Sequence, residues 1–304
     1  MPLLPLVVIG GPTASGKSEL AMELAKHFSG VIITADSRQV YRDFDIGTCK
    51  PTPAERAVVP HELLDIAEPT EVYTVARFRQ DAQAAIWRAR QTGHLPFLVG
   101  GTGFYIRAAL GETAIPPVPP DPFRRAALMN LPDLWQRLQV MDPATANRLH
   151  PNDKFRLARA LEVLETTGKP LSSWVATPAP YQVCYLVVSR DREELAKRID
   201  QRILALLEIG WRKEITELLA RYGPDLPLWR TLGYAELLQE HNGIISTKTA
   251  IDLIGRNTRR YAKRQFTWFR GEVNAKWLPP ARHGKLDDCI AAAITQIETL
   301  LAHS

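Results

Sequence analysis

The sequence predicts an α/β fold in which helices flank a parallel sheet, together with an all-helical insertion domain. Two observations predict it. Strand-like apolar runs alternate with helical patterns over roughly the first hundred residues, and a proline-rich stretch then opens a segment with helical patterns only. Alternating strands and helices are typical of a parallel sheet that is covered on both faces. At 304 residues, the chain is long enough for one large domain or for two.

The first predicted strand, Leu6–Ile9, runs into a glycine-rich loop and then into a helical pattern. The loop consists of Gly11, Pro12, Thr13, Ala14, Ser15, Gly16, Lys17 and Ser18. Its glycines let several backbone N–H groups face one point, and the next helix adds the positive end of its dipole. Lys17 brings a charge to a terminal phosphate, and the Ser18 hydroxyl can ligate Mg²⁺. The fold class is therefore P-loop NTPase-like, and the loop by itself favours ATP or GTP.

The second predicted strand comprises residues 31–35, and Asp36 follows it directly. Because open parallel sheets bind ligands at the carboxyl ends of their strands, we expect Asp36 in the same crevice as the loop. A carboxylate there can assist Mg²⁺ or act as a general base toward a bound acceptor. An N-cap for the following segment is the alternative. Farther along, the patterns predict a short strand at Leu63–Ile66 and a helix from Val75 to Arg90.

The next predicted strand, Phe97–Val99, is followed by Gly100, Gly101, Thr102 and Gly103. P-loop NTPases normally hold Mg²⁺ with an aspartate at the end of a neighbouring strand, and no carboxylate follows this one. Glycines on both sides of Thr102 let a ligand approach the backbone closely, so its hydroxyl can hydrogen-bond an acceptor. A turn residue without a ligand is the alternative interpretation.

The proline-rich stretch Ile115–Pro122 can continue neither a helix nor a central strand. The segment after it shows helical patterns only, until strand character resumes at Cys184. The simplest organisation is a P-loop α/β core made of residues 1–112 and 185–304, with a helical insertion domain at residues 113–184.

The C-terminal segment Arg256–Arg270 contains no acidic residue. Helical spacing places five of its cations on one face: Arg256, Arg259, Arg260, Lys263 and Arg264. An unbalanced basic face suits the phosphate backbone of a nucleic acid. Ile254, Tyr261 and Trp268 recur every seven residues and are predicted to face the core.

Other basic residues form smaller groups. Arg124, Arg125, Lys154, Arg156 and Arg159 lie in the predicted insertion. Arg198 and Arg202 are four residues apart on a helical pattern. This pair can close over phosphates as a clamp or form surface pairs with Glu194 or Asp200.

Composition narrows the class of protein. The formal net charge is +5, and Cys49, Cys184 and Cys289 lie far apart, so neither a disulfide framework nor a zinc site is predicted. The first residues lack the basic region of a signal peptide. A membrane span needs about 20 apolar residues, and no apolar run in the sequence comes near that length. We therefore expect a cytoplasmic protein without a membrane partner.

The chain resembles the tRNA dimethylallyltransferase family, also called tRNA isopentenyltransferases. The matching motifs occur in the family's order and span nearly the whole chain. They are Gly11–Ser18, Ala35–Tyr41, Asp45–Thr48, Lys50–Pro51, Gly100–Tyr105, His150–Asp153, Arg159–Val163, Gly233–Tyr234, Lys263–Gln265 and Thr267–Trp268. Cys49 stands where the family usually has alanine and Glu62 where a second histidine is common, and neither position carries the chemistry.

This resemblance implies a reaction and its partners. A dimethylallyl group would pass from dimethylallyl diphosphate to the exocyclic amine of the adenosine immediately 3′ of the anticodon in tRNA. The products would be N6-(dimethylallyl)adenosine and diphosphate. The adenosine would be flipped out to reach the site, as enzymes that act on a base generally require. Mg²⁺ is the implied cofactor, the anticodon stem-loop is the implied RNA partner, and we expect a monomer.

The resemblance also implies roles for residues. The loop Thr13–Ser18, which includes Lys17, would bind the diphosphate and Mg²⁺. Asp36 would accept hydrogen bonds or a proton from the amine, and Thr102 would help to orient the diphosphate or the leaving oxygen. Arg202 would neutralise charge as diphosphate departs. The implied tRNA contacts are Asp36, Ser37, Arg38, Gln39, Thr102, Arg125, Phe155, Arg156, Leu157, Ala158, Arg159, Arg230, Thr231, Leu232, Gly233, Tyr234, Ala235, Lys263, Arg264 and Arg270.

Three other functions remain open at this point. An adenylate isopentenyltransferase acting on free AMP, ADP or ATP shares the loop and the aspartate, but has little use for the insertion or the basic helix. A small-molecule kinase is suggested by the loop alone. An RNA-binding protein that uses the loop as a nucleotide switch is a third possibility, and the crevice aspartate argues against it.

Overall fold

The structure, a computed structural model, describes residues 3–280 and 286–302. Within these ranges the strands are β1 (Leu4–Gly10), β2 (Gly30–Thr34), β3 (His61–Glu62), β4 (Leu95–Gly100), β5 (Tyr181–Val187) and β6 (Lys276–Trp277). They form one sheet in the order β3-β2-β4-β1-β5-β6, and every neighbouring pair is parallel. The predicted P-loop NTPase-like α/β fold class is confirmed.

The α-helices of the described ranges lie between and after these strands along the chain. They are α1 (Lys17–His27), α2 (Pro53–Val58), α3 (Val75–Gln91), α4 (Gly103–Ala109), α5 (Pro122–Met129), α6 (Leu134–Met141), α7 (Pro143–Ala146), α8 (Lys154–Thr167), α9 (Arg192–Ile209), α10 (Trp211–Tyr222), α11 (Tyr234–His241), α12 (Thr247–Arg270) and α13 (Asp287–Ala302). The helix predicted from Val75 is therefore confirmed as α3.

The sheet is buried on both faces because its central strands are apolar throughout. Alternate residues of β1, including Val7 and Ile9, pack in one cluster with Leu24 of α1 and Ile297 of α13. The other residues of the strand point to the opposite face, where Phe269 of α12 packs against Gly10. Helices α1 and α13 thus cover one face, and α12 lies on the other.

One predicted strand does not form, and the others have different bounds in the structure. The strand predicted at Leu63–Ile66 is wrong: Leu63 and Asp65 have φ values of 66° and 57°, which no β-strand adopts. Ion pairs from Lys50 and Arg56 to the Asp65 carboxylate hold that segment instead. The strand predicted from Cys184 begins three residues earlier, because β5 pairs with all of β1.

The described residues divide into two compact units. The first contains the sheet and comprises residues 3–73, 80–106, 180–280 and 286–302. The second comprises Thr74–Arg79 and Arg107–Ala179, and every secondary-structure element in it is helical.

The helical unit is built from short, well-capped helices. Asp121 caps α5 through the Arg124 N–H at 2.9 Å, and Asp153 caps α8 through the Arg156 N–H at 3.2 Å. Helix α8 ends at Gly168, whose φ of 67° is the left-handed conformation of a C-cap. The apolar faces meet in a core that includes Leu134, Leu138, Leu157 and Leu161.

Candidate active site

A crevice of about 690 Å³ opens in the sheet-containing unit, at the carboxyl ends of β1, β2 and β4. The structure brings Lys17, Asp36 and Gly100 together in its lining, as the strand order predicts. Helices α9 and α12 supply further lining residues, among them Arg202, Ile203, Leu206, Thr258, Tyr261 and Arg264.

The phosphate loop is curled by residues with positive φ. Gly11, Ala14 and Gly16 have φ values of 152°, 63° and 96°, and Gly16 immediately precedes α1. A Cβ on Gly11 would lie 2.5 Å from the Val188 carbonyl oxygen, so the position requires glycine. The curl directs the loop backbone toward the N-terminus of α1, which is the geometry of an anion-binding loop.

Lys17 is half-buried in this crevice. Desolvation and the positive charge of Arg202 lower the pKa of Lys17 to about 8. Its Nζ donates to the Pro12 carbonyl at 3.4 Å, and no carboxylate of the described residues pairs with it. A desolvated ammonium without a counterion favours an anionic ligand, because the ligand's charge would stabilise the protonated form.

Three arginines hold the loop from outside. Arg190 Nε donates to Ser15 O at 2.8 Å, and Arg198 Nε donates to Ala14 O at 3.1 Å. Arg202, which also lines the crevice, donates to the Thr13 hydroxyl. These bonds occupy backbone and hydroxyl oxygens of the loop and use none of its N–H groups.

Among the described residues, neither Arg198 nor Arg202 forms the alternative ion pair with Glu194 or Asp200. Glu194 pairs with Arg190 at 2.5 Å, and Asp200 pairs with Arg259 of α12 at 2.5 Å. The second pair also corrects the expectation of an unbalanced basic face on α12, since an acid from α9 neutralises one of its cations.

Asp36 lies half-buried between the loop and the end of β4. Its Oδ1 accepts from the backbone N–H groups of Arg38 at 2.8 Å and Gln39 at 3.4 Å. No hydrogen bond from the described residues reaches Oδ2. Residues 37–40 form turns rather than a helix, so Asp36 is not a helix N-cap. Its Oδ1 caps a turn instead. The second oxygen remains available to a ligand.

Thr102 lies in the turn between β4 and α4. Its Oγ1 accepts from the Ser37 N–H at 3.4 Å and shares a hydrogen bond with the hydroxyl of Tyr261. Burial and then the Asp36 charge raise the pKa of Tyr261 to about 12, so the phenol is neutral at physiological pH. Thr102 is thereby joined to Ser37, which follows Asp36, and to Tyr261, both of which line the crevice.

Tyr261 corrects the prediction for α12. Its spacing with Ile254 and Trp268 predicts a core position, but Tyr261 lines the crevice instead. The signal that could have found it is Arg264, three residues later on the same helical face, whose guanidinium lies 5.7 Å from the Tyr261 ring centre.

Gln265 is a second functional residue that sequence reasoning missed. It is only 6% exposed. Its Oε1 accepts from the Thr13 N–H at 2.8 Å, and its Nε2 donates to Gly101 O at 2.9 Å. One amide therefore joins the phosphate loop to the turn that carries Thr102. Its place in the Lys263–Gln265 motif was the available signal.

Several residues predicted to contact tRNA line the same crevice. They are Ser37, Arg38, Gln39, Arg230, Thr231, Leu232 and Arg264. Tyr234 is fully buried, and Gly233 and Ala235 flank it at the start of α11. Lys263 is exposed on α12, and the Arg270 guanidinium lies over the Phe266 ring at 4.5 Å.

The helical unit holds the other predicted contacts. Arg125 and Arg159 both bind the buried carboxylate of Glu162, at 2.6 and 2.8 Å. Phe155 is 57% exposed, with Arg125 stacked on its ring at 4.9 Å. Exposed Arg156 lies 3.5 Å from Asp153. Leu157 and Ala158 lie in the core of this unit and are 0% exposed.

The curled glycine-rich loop, at the carboxyl edge of a parallel sheet that helices cover on both faces, places the chain in the P-loop α/β class. Across the residues that the structure describes, no helix combines the length and apolarity needed to cross a membrane.

Comparisons with known proteins define the family. The model of the family described as "IPP transferase" matches residues 39–272, and that of "Isopentenyl transferase" matches residues 4–65. The tRNA dimethylallyltransferase of Gloeobacter violaceus is 48% identical over 98% of this chain and 99% of its own length. That of Thermosynechococcus vestitus is 47% identical over 90% of this chain and 89% of its own.

Solved structures agree with these matches. The tRNA isopentenylpyrophosphate transferase of Bacillus halodurans superposes with a TM-score of 0.73 at 35% identity, over 99% of both chains. A eukaryotic dimethylallyltransferase acting on tRNA superposes with a TM-score of 0.85 at 27% identity, over 98% of this chain and 80% of its own. The chain belongs to the tRNA dimethylallyltransferase family, and it is a prenyl-transferring enzyme.

Proposed function

We propose that this enzyme transfers the dimethylallyl group of dimethylallyl diphosphate to the exocyclic amine of the adenosine immediately 3′ of the anticodon in tRNA. The observation that supports the proposal is the set of residues that line one crevice. A cationic phosphate loop with Lys17 and Arg202 lines it together with Asp36, whose Oδ2 accepts no hydrogen bond from the described residues. Such a site suits an anionic leaving group and a nucleophilic amine at once.

The proposed step is a displacement at the allylic carbon. The adenine amine attacks the carbon that bears the diphosphate oxygen, a nitrogen–carbon bond forms, and the carbon–oxygen bond breaks. The electron pair of the broken bond leaves with diphosphate. Oδ2 of Asp36 accepts a hydrogen bond from the amine and takes its proton as the new bond forms.

The leaving group collects negative charge on its bridging oxygen as it departs. Lys17, Arg202 and the loop N–H groups stabilise that charge, and the Thr102 hydroxyl orients the leaving oxygen. The carboxylate that an NTPase uses for Mg²⁺ is missing after Val99. The loop would therefore hold a leaving group rather than an energy source.

Mg²⁺ fits this site with few protein ligands. Ser18 lines the crevice next to Lys17. Among the described residues, no cluster of three His, Cys, Asp or Glu side chains could hold a metal by itself. We propose that the Ser18 hydroxyl and the diphosphate oxygens hold Mg²⁺, as is usual where the substrate carries phosphate. When bound, the ion supplies further positive charge to the leaving group.

The tRNA partner would reach the crevice with its target base flipped out of the anticodon loop. Arg38, Gln39, Thr231 and Arg264 support this, since all of them line the crevice beside Asp36. The exposed Phe155 and Arg156 of the helical unit suit stacking and phosphate contact with the same RNA. Leu157 and Ala158 would act by holding α8 in place.

We also propose a monomer that acts in the cytoplasm, with residues 1–112 and 185–304 as catalytic core and residues 113–184 as an insertion that contacts tRNA. The two units of the structure have somewhat different bounds, at Arg107 and Ala179. Light scattering of the protein alone and with tRNA would check the monomer, and a second protein copy in either sample would contradict it.

The test of the reaction is nucleoside analysis of unmodified tRNA after incubation with the protein, Mg²⁺ and dimethylallyl diphosphate. We expect N6-(dimethylallyl)adenosine in the anticodon loop and one diphosphate released for each nucleoside formed. A parallel reaction supplies AMP instead of tRNA. Faster prenylation of AMP would contradict the proposal, as would phosphate transfer from ATP without prenyl incorporation.

The alternative with free adenylates is not favoured. The match to tRNA dimethylallyltransferases covers nearly the full length of the chain, including the helical unit and α12, which a small nucleotide would not need.

A further inference from the structure

Glu214 of α10 is a carboxylate that the proposed chemistry does not use, yet it is 7% exposed and fully satisfied. Its Oε2 accepts from the backbone N–H groups of Asp45 at 2.9 Å and Ile46 at 2.6 Å. Its Oε1 accepts from the Gly47 N–H at 3.2 Å and from the Tyr234 hydroxyl at 2.6 Å. One side chain thus ties three consecutive loop amides to the start of α11.

Aromatic packing makes this anchor tight. A Cβ on Gly47 would lie 2.2 Å from the Trp211 indole and 2.5 Å from the Tyr234 ring. The rings of Trp211 and Tyr234 pack edge to face, with centroids 5.7 Å apart. Gly47 therefore lies directly against the aromatic pair, and it cannot shift toward the rings without a clash.

The anchored segment continues into a wall of the crevice. The N–H groups of Cys49 and Lys50 donate to Ile46 O and Asp45 O, both at 3.0 Å, so residues 45–50 move as one turn. Gly47, Thr48 and Cys49 line the crevice.

That turn in turn fixes Gln39. The Nε2 group of Gln39 donates to Thr48 O at 2.9 Å and to Cys49 O at 3.0 Å. Both N–H bonds of the amide are therefore committed, and no hydrogen bond from the described residues reaches Oε1. The Gln39 backbone N–H also lies 3.4 Å from Asp36 Oδ1. The side-chain amide is thus held in the residue that follows the Asp36 turn, in the lining of the same crevice, with its oxygen left to accept.

We propose that Glu214 is a positioning residue for the acceptor base. By fixing residues 45–49 it sets the side-chain amide of Gln39, whose Oε1 then accepts only from a base edge that presents an N–H group. The inference rests on the proposed function, which brings the target adenosine into this crevice. Glu214 itself touches no substrate.

The arrangement needs a carboxylate. A glutamine at position 214 would keep one acceptor oxygen but turn an NH₂ group toward backbone N–H donors. At least one backbone N–H would then face a donor, since the Tyr234 hydroxyl can accept from an NH₂ group but a backbone N–H cannot. The turn would then be displaced at the Gln39 end, while the phosphate loop keeps its own anchors from Arg198 and Arg202.

The test is a double-mutant cycle in the prenylation assay. We expect Glu214→Gln to lower kcat/KM for tRNA on the order of 10- to 100-fold, the scale of a small misplacement in an active site. The KM for dimethylallyl diphosphate should change by less than about twofold. Gln39→Ala should show a similar loss, and the double variant should be no worse than Gln39→Ala by more than about threefold.

Gly47→Ala is the second variant, because it displaces the same turn without changing any charge. It keeps the cycle with Gln39→Ala interpretable should Glu214→Gln fail to fold. Glu217→Gln is the matched control on the same helix. Its side chain is 65% exposed and pairs only with Lys213 among the described residues, so it should match the wild type.

Losses that multiply in the double variants would overturn the proposal, since Glu214 would then act independently of Gln39. A KM for dimethylallyl diphosphate that rises as much as that for tRNA would also overturn it, because the defect would be general. The wild-type reaction separates the two hypotheses. If the wild type forms no prenylated adenosine, the proposed function and the role of Glu214 are both wrong. If the wild type is active but the losses multiply in the double variants, only the role of Glu214 is wrong.

Discussion

The carboxylates of Asp36, in the crevice, and Glu162, in the helical unit, differ in how many of their oxygens already accept hydrogen bonds from the protein. Asp36 uses one oxygen to cap a turn, and no described residue binds the other. Glu162 is bound by Arg125, by Arg159 and by the Asp121 N–H at 2.7 Å. Asp36 can therefore still accept a hydrogen bond from a substrate. Both oxygens of Glu162 already bind groups of the protein and stabilise the fold.

The cations of the two regions differ in the same way. Lys17 and Arg202 line open space without an acidic partner among the described residues. Arg125 and Arg159 are already neutralised by Glu162. Counting basic residues along the sequence treats these groups alike, but only an unpaired cation offers its full charge to an anionic ligand. The contrast can be tested one pair at a time.

The largest expected effect belongs to Lys17. Lys17→Ala should lower kcat/KM for dimethylallyl diphosphate on the order of 10⁴-fold, the scale of losing a cation that neutralises a phosphoryl group. The tRNA dissociation constant should stay within about twofold. Lys26→Ala is the control, since Lys26 lies on the same helix, exposed, and pairs with Glu23. Near-normal turnover by Lys17→Ala would show that an unpaired cation of the crevice contributes no more than a paired one.

Asp36→Asn should come next. The amide can still cap the turn through its oxygen, but it cannot take a proton from the amine. We expect kcat to fall on the order of 10³-fold with both substrates still bound, as for loss of a general base. Single-turnover kinetics with saturating substrates measure this step. Asp252→Asn, on the exposed side of α12, serves as control. A loss confined to substrate binding would count against the assignment.

Glu162→Gln should affect stability instead. Removing the charge leaves Arg125 and Arg159 without a counterion, which costs about 3 kcal/mol of unfolding free energy for a buried pair. Urea unfolding at neutral pH measures it. Glu165→Gln is the control, because Glu165 pairs with Arg124 at the surface, where a salt bridge contributes less than about 1 kcal/mol. Equal losses in the two variants would remove the distinction between paired and available charge.

This stability difference should depend on pH. Burial by itself would raise the pKa of Glu162, but hydrogen bonds from Arg159 and Arg125 outweigh it and hold that pKa below its ordinary value of 4.5. The folded state therefore binds its proton less readily than the unfolded state. The contribution is complete above about pH 4.5 and is lost as the pH falls through the lower, folded value. The gap between wild type and Glu162→Gln should shrink only in acid.

The smallest effect concerns α12. Replacing Arg260 and Arg264 with alanine should weaken tRNA binding a few-fold and reduce its salt slope by about 2, roughly one unit for each phosphate contact. Arg259→Ala is the paired counterpart, since Asp200 already neutralises it. Titrations at several salt concentrations would decide. An unchanged slope in the double variant would mean that this helix does not contact the RNA.

The fold was largely predictable because local patterns determine it. Apolar runs in β1, β2 and β4 and the helical spacing of α3 appear directly in the sequence. Leu63 shows the limit. Its apolar neighbourhood predicts a strand, but the positions of Lys50 and Arg56 in three dimensions set its backbone, and no local pattern records them.

The site divides along the same line. The phosphate loop, Asp36 and Thr102 follow from motif and strand order, and their roles remain predictions until the variants are measured. Tyr261, Gln265 and Glu214 act through partners that lie far away in the chain, as Gln265 does with Thr13. Helical periodicity can say that such a residue is buried, but it cannot say which polar group it meets.

Gln265 sets a distance as well as a contact. Its two hydrogen bonds, of 2.8 and 2.9 Å, tie the phosphate loop to the turn that carries Thr102. Displacement requires the nucleophile and the carbon to come within about 3–3.5 Å, and a misplacement of about 1 Å can cost 10²-fold in rate. A movement of the phosphate loop is therefore passed to the turn that carries Thr102, and the length of one glutamine side chain fixes the spacing between the two.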